Sequence, residues 1–417
     1  MATVLNDANK QKQMLAPHKS ITFNRFKTVK GMNRRVVEVN ADRTSISAGG
    51  NFTFKVPAFG ILNNENSHPH LKMTVTTSKT GGTYSRVSLP AYSIISRCVI
   101  KCGTTVLYDN DAEGLWDAIQ VYSDRSQAWI LNEGLYHGVD STSNRNTDYA
   151  AGKALYLDLG VIDFLTQPYP AYKNDNSAEL TIKFYLANAS DCVETDGTTP
   201  TLVVDTPKLI LDYVDLSNDQ EMALRNQKTV SGVVYNNIKR QEYILPASTT
   251  TQSINLNHRC KDLTAIVVCA RIDGNLGDVT SNDKFTTWEL DDLHNMKLKI
   301  NNKSYVFEEG LDTSVNGQAF EEFKRFWAWD KEGNMNRPDI AESDFFADSR
   351  FLGIINLSAF KHSHDANVVL SGVSLDRDAH LELSFGTATP SQLNLSIFYV
   401  YKSMLTWKDG IKPIVSE

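Results

Sequence analysis

Histidines that alternate with other residues give this sequence its clearest potential for metal chemistry. His68 and His70 form one pair, and His362, His364 and Asp365 form a second group. Imidazole nitrogens and carboxylate oxygens are good zinc ligands, but a zinc site needs three or four of them held at a fixed spacing. Both groups lie in polar, loop-like sequence without a further ligand at helical or strand spacing. We therefore predict no metal site.

Adjacent carboxyl groups are the second candidates for chemistry. Asp291 with Asp292, and Glu321 with Glu322, supply two acids each, the number that glycoside hydrolysis requires. Neighbouring residues point in different directions on a helix and on a strand, so neither pair is placed to act on one bond. We interpret both pairs as solvated surface.

Cysteines offer the third possibility. Cys98 and Cys102 are spaced so that they could ligate zinc, but no second pair accompanies them, and the total of five lies mostly in apolar runs. This pattern indicates buried thiols. Glycine-rich nucleotide loops, the GxSxG elbow and the HExxH helix do not occur. The sequence thus predicts a protein that is not an enzyme, with no catalytic residues, no cofactor and no small-molecule substrate.

A basic stretch near the N-terminus contrasts with the net charge of −7 of the whole chain. Residues 8–37 contain no Asp or Glu. Such a stretch is either an arm that lies against an anionic surface or a solvated tail, and both interpretations are open from charge alone. Its basic residues are Lys10, Lys12, Lys19, Arg25, Lys27, Lys30, Arg34 and Arg35.

The length of 417 residues favours two domains, because single cores rarely grow beyond about 250–300 residues. Short apolar runs separated by Gly, Pro, Asn, Ser and Thr predict a mostly β protein. The acidic balance argues against nucleic-acid binding over the whole surface. The sequence contains no secretory signal and no run of about 18 apolar residues, so we expect neither export nor a membrane span.

A segment just past the middle of the chain marks the boundary between the two domains. Residues 208–216 (KLILDYVDL) have apolar side chains on both faces of an extended segment, which predicts a buried strand. Ser217 can then cap a short helix, and Gln220 stands at the reciprocal position of a capping box. We predict a helical linker over residues 217–228.

The second half of the chain repeats the order of elements of the first half. Hairpins are predicted around Gly103 and around residues 301–303, each followed by an amphipathic helix, at residues 112–122 and 317–327. The other matched segments are residues 54–57 with 243–246, 71–78 with 263–270, 155–164 with 351–360, 178–187 with 379–388, and 213–214 with 399–400.

This ordered agreement predicts a structural duplication. Each half has about eight strands, the number in a jelly roll, so the predicted fold is all-β, with two tandem eight-stranded jelly roll sandwiches (a double jelly roll) and short helices between strands. The predicted units are a basic arm (residues 1–40), a first jelly roll (41–216), the linker (217–228) and a second jelly roll (229–417). We further hypothesise that the helix bearing Leu115, Trp116 and Ile119 plugs the first barrel.

Three segments resemble the double jelly roll major capsid proteins of large DNA viruses, virophages, polinton-like elements and the PRD1–adenovirus lineage. Residues 209–227 (LILDYVDLSNDQEMALRNQ) with 242–245 (EYIL) are similar to the passage between the two barrels in that family. Residues 90–103 resemble its first-barrel hairpin, and residues 397–416 (IFYVYKSMLTWKDGIKPIVS) resemble its closing strand and tail. A proline-rich aromatic segment of the family is reduced here to residues 167–170 (QPYP).

The resemblance implies a homotrimeric, pseudo-hexameric capsomer that tiles an icosahedral shell around a DNA genome. Implied partners are other copies of the chain, minor capsid and penton proteins, and an internal membrane or the genome contacted by the basic arm. The protein would be made in the host cytosol and end in the virion. Two alternatives stay open: a tandem jelly roll enzyme acting on glycans, and a carbohydrate- or receptor-binding viral spike module.

Overall fold

The structure is a computed structural model of the chain. It describes residues 33–64, 67–88, 90–124, 149–174, 178–225, 232–280, 285, 288, 290, 293–313, 316–327, 345, 351–358, 372–375, 378–408 and 412–416. Strands predominate among these residues, and they divide into two sets that follow one another along the chain.

The described part of the first half contains twelve strands. They are β1 (Asn33–Asn40), β2 (Ser45–Ser47), β3 (Asn51–Lys55), β4 (Ile61–Leu62), β5 (His70–Thr80), β6 (Ser85–Val87), β7 (Ile95–Cys102), β8 (Thr105–Asn110), β9 (Lys153–Asp158), β10 (Leu180–Leu186), β11 (Val193–Thr195) and β12 (Thr198–Asp215). Its helices are α1 (Glu113–Asp124), the single turn α2 (Ala189–Cys192), and short 3-10 turns at Ala91–Ile94, Leu159–Val161, Asp163–Thr166 and Ala171–Lys173.

Helix α3 (Asn218–Arg225) separates the halves. The second half contains β13 (Gly232–Leu245), β14 (Thr251–Asn255), β15 (Cys260–Ile272), β16 (Leu293–Ile300), β17 (Lys303–Tyr305), β18 (Leu311–Asp312), β19 (Gly353–Asn356), β20 (Val373–Leu375), β21 (Ala379–Phe385), β22 (Leu393–Lys408) and β23 (Lys412–Ser416). Helix α4 (Asn316–Trp327) precedes β19, and a 3-10 turn covers Asp273–Asn275.

Two antiparallel sheets form the first barrel. Their main strand orders are β1-β12-β5-β9 and β3-β10-β7-β8, with β2 and β4 added beside β12. The sheets face each other and bury alternate side chains between them, including a cluster of Phe52, Phe54 and Phe184 whose ring centroids lie 5.6 to 6.3 Å apart. This arrangement is the jelly roll sandwich.

The second barrel has the same arrangement of four main strands in each of its two sheets. Its sheets have the orders β13-β22-β15-β19 and β14-β21-β16-β17. The prediction of two tandem eight-stranded jelly rolls with helices between strands is confirmed. One matched pair of segments is wrong: residues 243–245 end β13, the counterpart of β1, whereas residues 54–55 end β3. Short alternations of apolar residues look alike in every strand of a sandwich. Composition alone therefore matches a segment of β3 with a segment of β13, which is not its counterpart.

Both predicted hairpins are present, one in each barrel. In the first, β7 and β8 turn at Gly103, whose φ is +59°. In the second, β16 and β17 turn at Asn301 and Asn302, with φ of +52° and +61°. Glycine and asparagine are the residues that adopt this left-handed conformation most easily, which is why both turns were visible in the sequence.

Strand β1 includes residues that the sequence placed in the basic arm. It pairs with β12 along its whole length, from Asn33 opposite Asp215 to Asn40 opposite Lys208. Residues 33–40 therefore belong to the first barrel. An edge strand has mostly exposed side chains, so the charged sequence NRRVVEVN resembles a tail.

The predicted capping box at the linker helix is present. The backbone N–H of Gln220 donates to Ser217 Oγ at 3.4 Å, and the backbone N–H of Ser217 donates to Gln220 Oε1 at 3.1 Å. These bonds satisfy two of the N–H groups at the start of α3 that no helical carbonyl can reach.

The two central strands of the second barrel are buried on both faces, unlike their counterparts in the first. Residues 393–403 of β22 and 262–270 of β15 are all buried, whereas β12 alternates between buried side chains and partly exposed ones such as Ile210 and Val214. The sequence predicted two buried faces for β12. The outer face of β22 is covered in part by α1 of the first barrel, and the matching face of β12 stays partly exposed.

Candidate functional site

The two histidines of the first pair make contacts within the first barrel. His68 Nδ1 lies 3.2 Å from Asp158 Oδ1, and the His70 ring stacks on Tyr156 with 4.5 Å between centroids. Within the described ranges, no three His, Cys, Asp or Glu side chains lie close enough to hold a metal ion. His362, His364 and Asp365 fall outside the described residues.

The adjacent acids that the structure describes point apart, as predicted. Glu321 is exposed and pairs with Lys324 on its own helix, whereas Glu322 is buried and accepts a hydrogen bond from Asn356 Nδ2 at 2.6 Å. They do not face a common space. The interpretation of this pair as solvated surface is therefore wrong for Glu322, because the next residue on a helix can face the core. Asp291 and Asp292 lie outside the described residues.

The five cysteines are buried as thiols, so the prediction of buried thiols is confirmed. Burial raises the pKa of the Cys98 thiol well above its usual range and raises the pKa of Cys269 to about 12. A thiol held protonated in an apolar environment is a poor nucleophile and a poor metal ligand. These cysteines therefore act as small core residues.

Only two of the eight predicted basic contact residues lie in the described part of the chain. Arg34 Nε donates to Asp212 Oδ2 at 2.6 Å, and the Arg35 guanidinium lies over the Phe59 ring at 4.7 Å from its centroid. Both residues belong to β1, so their side chains are anchored on the first barrel. Lys10, Lys12, Lys19, Arg25, Lys27 and Lys30 lie outside the described residues.

A strand-to-strand contact joins the two barrels. On β13, Tyr235 Oη and Asn237 Nδ2 donate to the carbonyl of Leu107 on β8, at 2.6 and 3.1 Å. Two positions further along each strand, Lys239 Nζ lies 3.3 Å from Asp109 Oδ2. The outer strand of one barrel is thus bonded to the outer strand of the next, with the basic residue on β13 and the acid on β8.

Helix α1 belongs to the first barrel but buries its apolar face against the second. Trp116 packs 5.0 Å from the Phe398 ring on β22, and Leu115 and Ile119 belong to the same apolar cluster as the core of the second barrel. The hypothesis that this helix plugs the first barrel is wrong. The helical period identified the apolar face correctly but carries no information on which sheet that face meets.

Two fully buried carboxyl groups lie on α1, and sequence reasoning missed them. Glu113 and Asp117 are one helical turn apart, and Tyr108 Oη donates to Glu113 Oε2 at 2.9 Å. Burial raises the pKa of Glu113 to about 8 and raises that of Asp117 well above its usual range. Acids four apart within an amphipathic helix share a face, and this spacing was the available signal.

A cleft of about 210 Å³ lies between the barrels beside α1. The first barrel contributes Asp111 and Asp191 to its lining, and the second contributes Arg240 and Arg271. Burial lowers the pKa of Arg271, whose guanidinium lies over the Phe285 ring at 5.7 Å. The two walls of the cleft therefore carry opposite charges.

The two barrels and their contact define the double jelly roll class of protein. No family model matches the sequence, and no curated protein matches it either. In the helices that the structure describes, no segment combines the length and the apolar character needed to cross a membrane.

Several solved structures that share this fold are viral capsid proteins. PBCV-1 VP54, fitted into a reconstruction of the virophage Sputnik, has a TM-score of 0.62 at 14% identity, covering 94% of this chain and 99% of that one. The Faustovirus major capsid protein has a TM-score of 0.59 at 8% identity, with 98% of both chains covered. The mavirus major capsid protein has a TM-score of 0.51 at 12% identity, covering 96% and 95%. The resemblance found in the sequence is confirmed in the fold.

Proposed function

We propose that the chain is a viral major capsid protein that assembles as a homotrimer with a pseudo-hexameric outline. The observation that carries this proposal is the tandem pair of barrels, which matches solved major capsid proteins over almost their whole length. A near-hexagonal capsomer needs six similar units, and three copies of a two-barrel chain supply them.

The contact between the barrels supports this assembly. The first barrel presents β8 and α1, and the second receives them on β13 and β22, so the contact uses different surfaces on its two sides. Such a contact is heterologous, and heterologous contacts between similar units continue around a ring when the rotation closes. Six barrels in one ring correspond to three chains.

The basic residues before β1 supply the proposed inner contact. Six lysines and arginines without an intervening acid attract anionic surfaces over about one Debye length. We propose that they meet an internal membrane or the DNA genome, and that minor capsid and penton proteins complete the shell of the virion.

The two alternative functions lack a supporting observation among the described residues. A glycan-cleaving enzyme needs two carboxyl groups facing one accessible bond. Glu321 and Glu322 point apart. Glu113 and Asp117 share a helix face but are fully buried. A sugar-binding module presents exposed aromatic rings, whereas the four described tryptophans are buried. They are Trp116, Trp288, Trp327 and Trp407.

The mass of the purified protein in solution tests the proposal. Light scattering should give three times the chain mass, and negative-stain images of the same peak should show a near-hexagonal outline. A stable monomer or dimer across the accessible concentration range would contradict the trimer. Turnover of a glycan substrate would contradict the structural role.

A further inference from the structure

We infer that the segment just after β17 of one copy docks on β1 of a second copy, through Val306 and its acidic neighbours. The inference rests on the proposed assembly and names its contact residues. One contact between barrels is made within the chain, and the equivalent strands at the other two sheet edges face no second barrel in the described part of the chain.

The occupied contact is the template. Strand β8, at the edge of one first-barrel sheet, packs on β13, at the edge of a second-barrel sheet. The identical strand orders make β17 the counterpart of β8, and β1 the counterpart of β13. A repeat of the same contact between copies would therefore place β17 of one chain on β1 of the next.

Each of the two open surfaces carries one exposed apolar side chain. Val36 on β1 is 53% exposed, and Val306, the residue after β17, is 49% exposed. They are two of five large apolar side chains exposed among the described residues. Val306 also has a φ of +67°, a conformation that is unfavourable for a β-branched residue. Strained exposed residues of this kind tend to occur at functional sites.

The charges that precede Val36 and those that follow Val306 are complementary. Arg34 and Arg35 precede Val36, and the exposed Glu308 and Glu309 follow Val306. The occupied contact has the same polarity, because Lys239 on β13 pairs with Asp109 on β8. Opposite charges around an apolar centre are typical of specific contacts, in which the charges set orientation and suppress wrong pairings.

Cross-linking of two single-cysteine variants tests the contact. Val36→Cys and Val306→Cys are mixed, allowed to assemble, and treated with a short bismaleimide. The native cysteines are buried and should stay silent, which the unsubstituted protein checks. We expect a cross-linked species in the mixture, and none with either variant alone, because the contact joins different surfaces. Ile244→Cys is the matched control, because this position on β13 is similarly exposed at 52%. Mixed with either Val36→Cys or Val306→Cys, it should give no cross-linked product.

The outcomes separate this inference from the proposed assembly. Trimers by light scattering with no product in the mixture would overturn the contact and leave the trimer standing. Cross-linking of Val36→Cys with itself would mean a two-fold contact and overturn the head-to-tail arrangement. A double variant carries both cysteines in one chain. If it cross-links into species of at most three chains, the result supports both the contact and the closed trimer. A ladder of products beyond three chains would support the contact and overturn the closed trimer.

Charge reversal gives a second, independent measurement. Glu308→Lys with Glu309→Lys places like charges opposite Arg35, so association should weaken on the order of tenfold or more while the melting of the isolated chain is unchanged. Mixing this protein with Arg35→Glu should restore mixed assemblies. Arg35 is chosen because Arg34 already pairs with Asp212. Association that is insensitive to both changes would overturn the inference.

Discussion

Trp116 and Trp327 meet at the boundary between the two barrels, with 6.1 Å between their ring centroids. Trp116 comes from α1 and Trp327 from α4, the helices that follow the equivalent hairpins of the two barrels. Phe398 lies on the other side of Trp116 at 5.0 Å. One tryptophan from each connecting helix therefore contributes to a single cluster, and this cluster ties the halves of the chain together.

Trp116→Ala should destabilise the chain by about 3–5 kcal/mol, because it leaves a cavity between the barrels where a large ring was buried. Urea unfolding followed by fluorescence and by circular dichroism measures the loss. Trp116→Phe keeps most of the contact and removes an indole N–H that has no hydrogen-bond partner, so it should cost much less. Equal stability of the Ala variant and the native chain would show that the helix does not carry the interface.

The buried acids of α1 should make the chain less stable as the pH rises. Glu113 has a pKa of about 8 in the folded state and an ordinary value of 4.5. Between these values the folded chain holds a proton that the unfolded chain has released, so the free energy of unfolding falls with increasing pH.

Melting temperatures between pH 5 and pH 8.5 test this dependence. Each kcal/mol lost should lower the melting temperature by roughly 2–4 °C. Glu113→Gln should flatten the curve, and Glu179→Gln, at a partly exposed pair with Lys55, should not. Parallel curves for the native chain and Glu113→Gln would contradict the buried titration.

Removal of the basic arm should separate assembly from inner-surface binding. Deletion should stop at residue 32, because Asn33–Asn40 forms β1 and its loss would damage the first barrel. We expect intact trimers that no longer sediment with anionic liposomes or retard DNA at low salt. Replacement of the six basic residues before β1 by Gln is the control for length. Undiminished association with both surfaces would refute a role for the arm.

Ser217→Ala should destabilise α3 by about 1 kcal/mol, since the backbone N–H of Gln220 loses its acceptor. Chemical unfolding would measure the change, with Asn218→Ala as a control at a neighbouring exposed position that makes no capping bond to Gln220. A smaller effect for Ser217 than for Asn218 would contradict the capping role.

Much of the fold could be predicted because it depends on local patterns. The turns at Gly103 and Asn301, the apolar face of α1 and the capping box at Ser217 each lie within a few residues of sequence. The duplication was visible because such patterns recur in the same order. The functional surfaces are not visible in the sequence. The basic arm is assigned from charge alone, and charge does not distinguish a tail from an edge strand such as β1.

The sequence by itself determined the strands, hairpins and helices, and hence two jelly rolls, because periodicity and turn chemistry act over short distances. Only the tertiary structure decided how the jelly rolls meet. It placed Trp116 on the second barrel, left one face of β12 partly exposed where the sequence predicted two buried faces, and enclosed Glu113 and Asp117. These outcomes depend on contacts between residues far apart in the chain. The hydrophobic effect is not directional, so an apolar face in the sequence predicts burial but does not identify the surface that buries it.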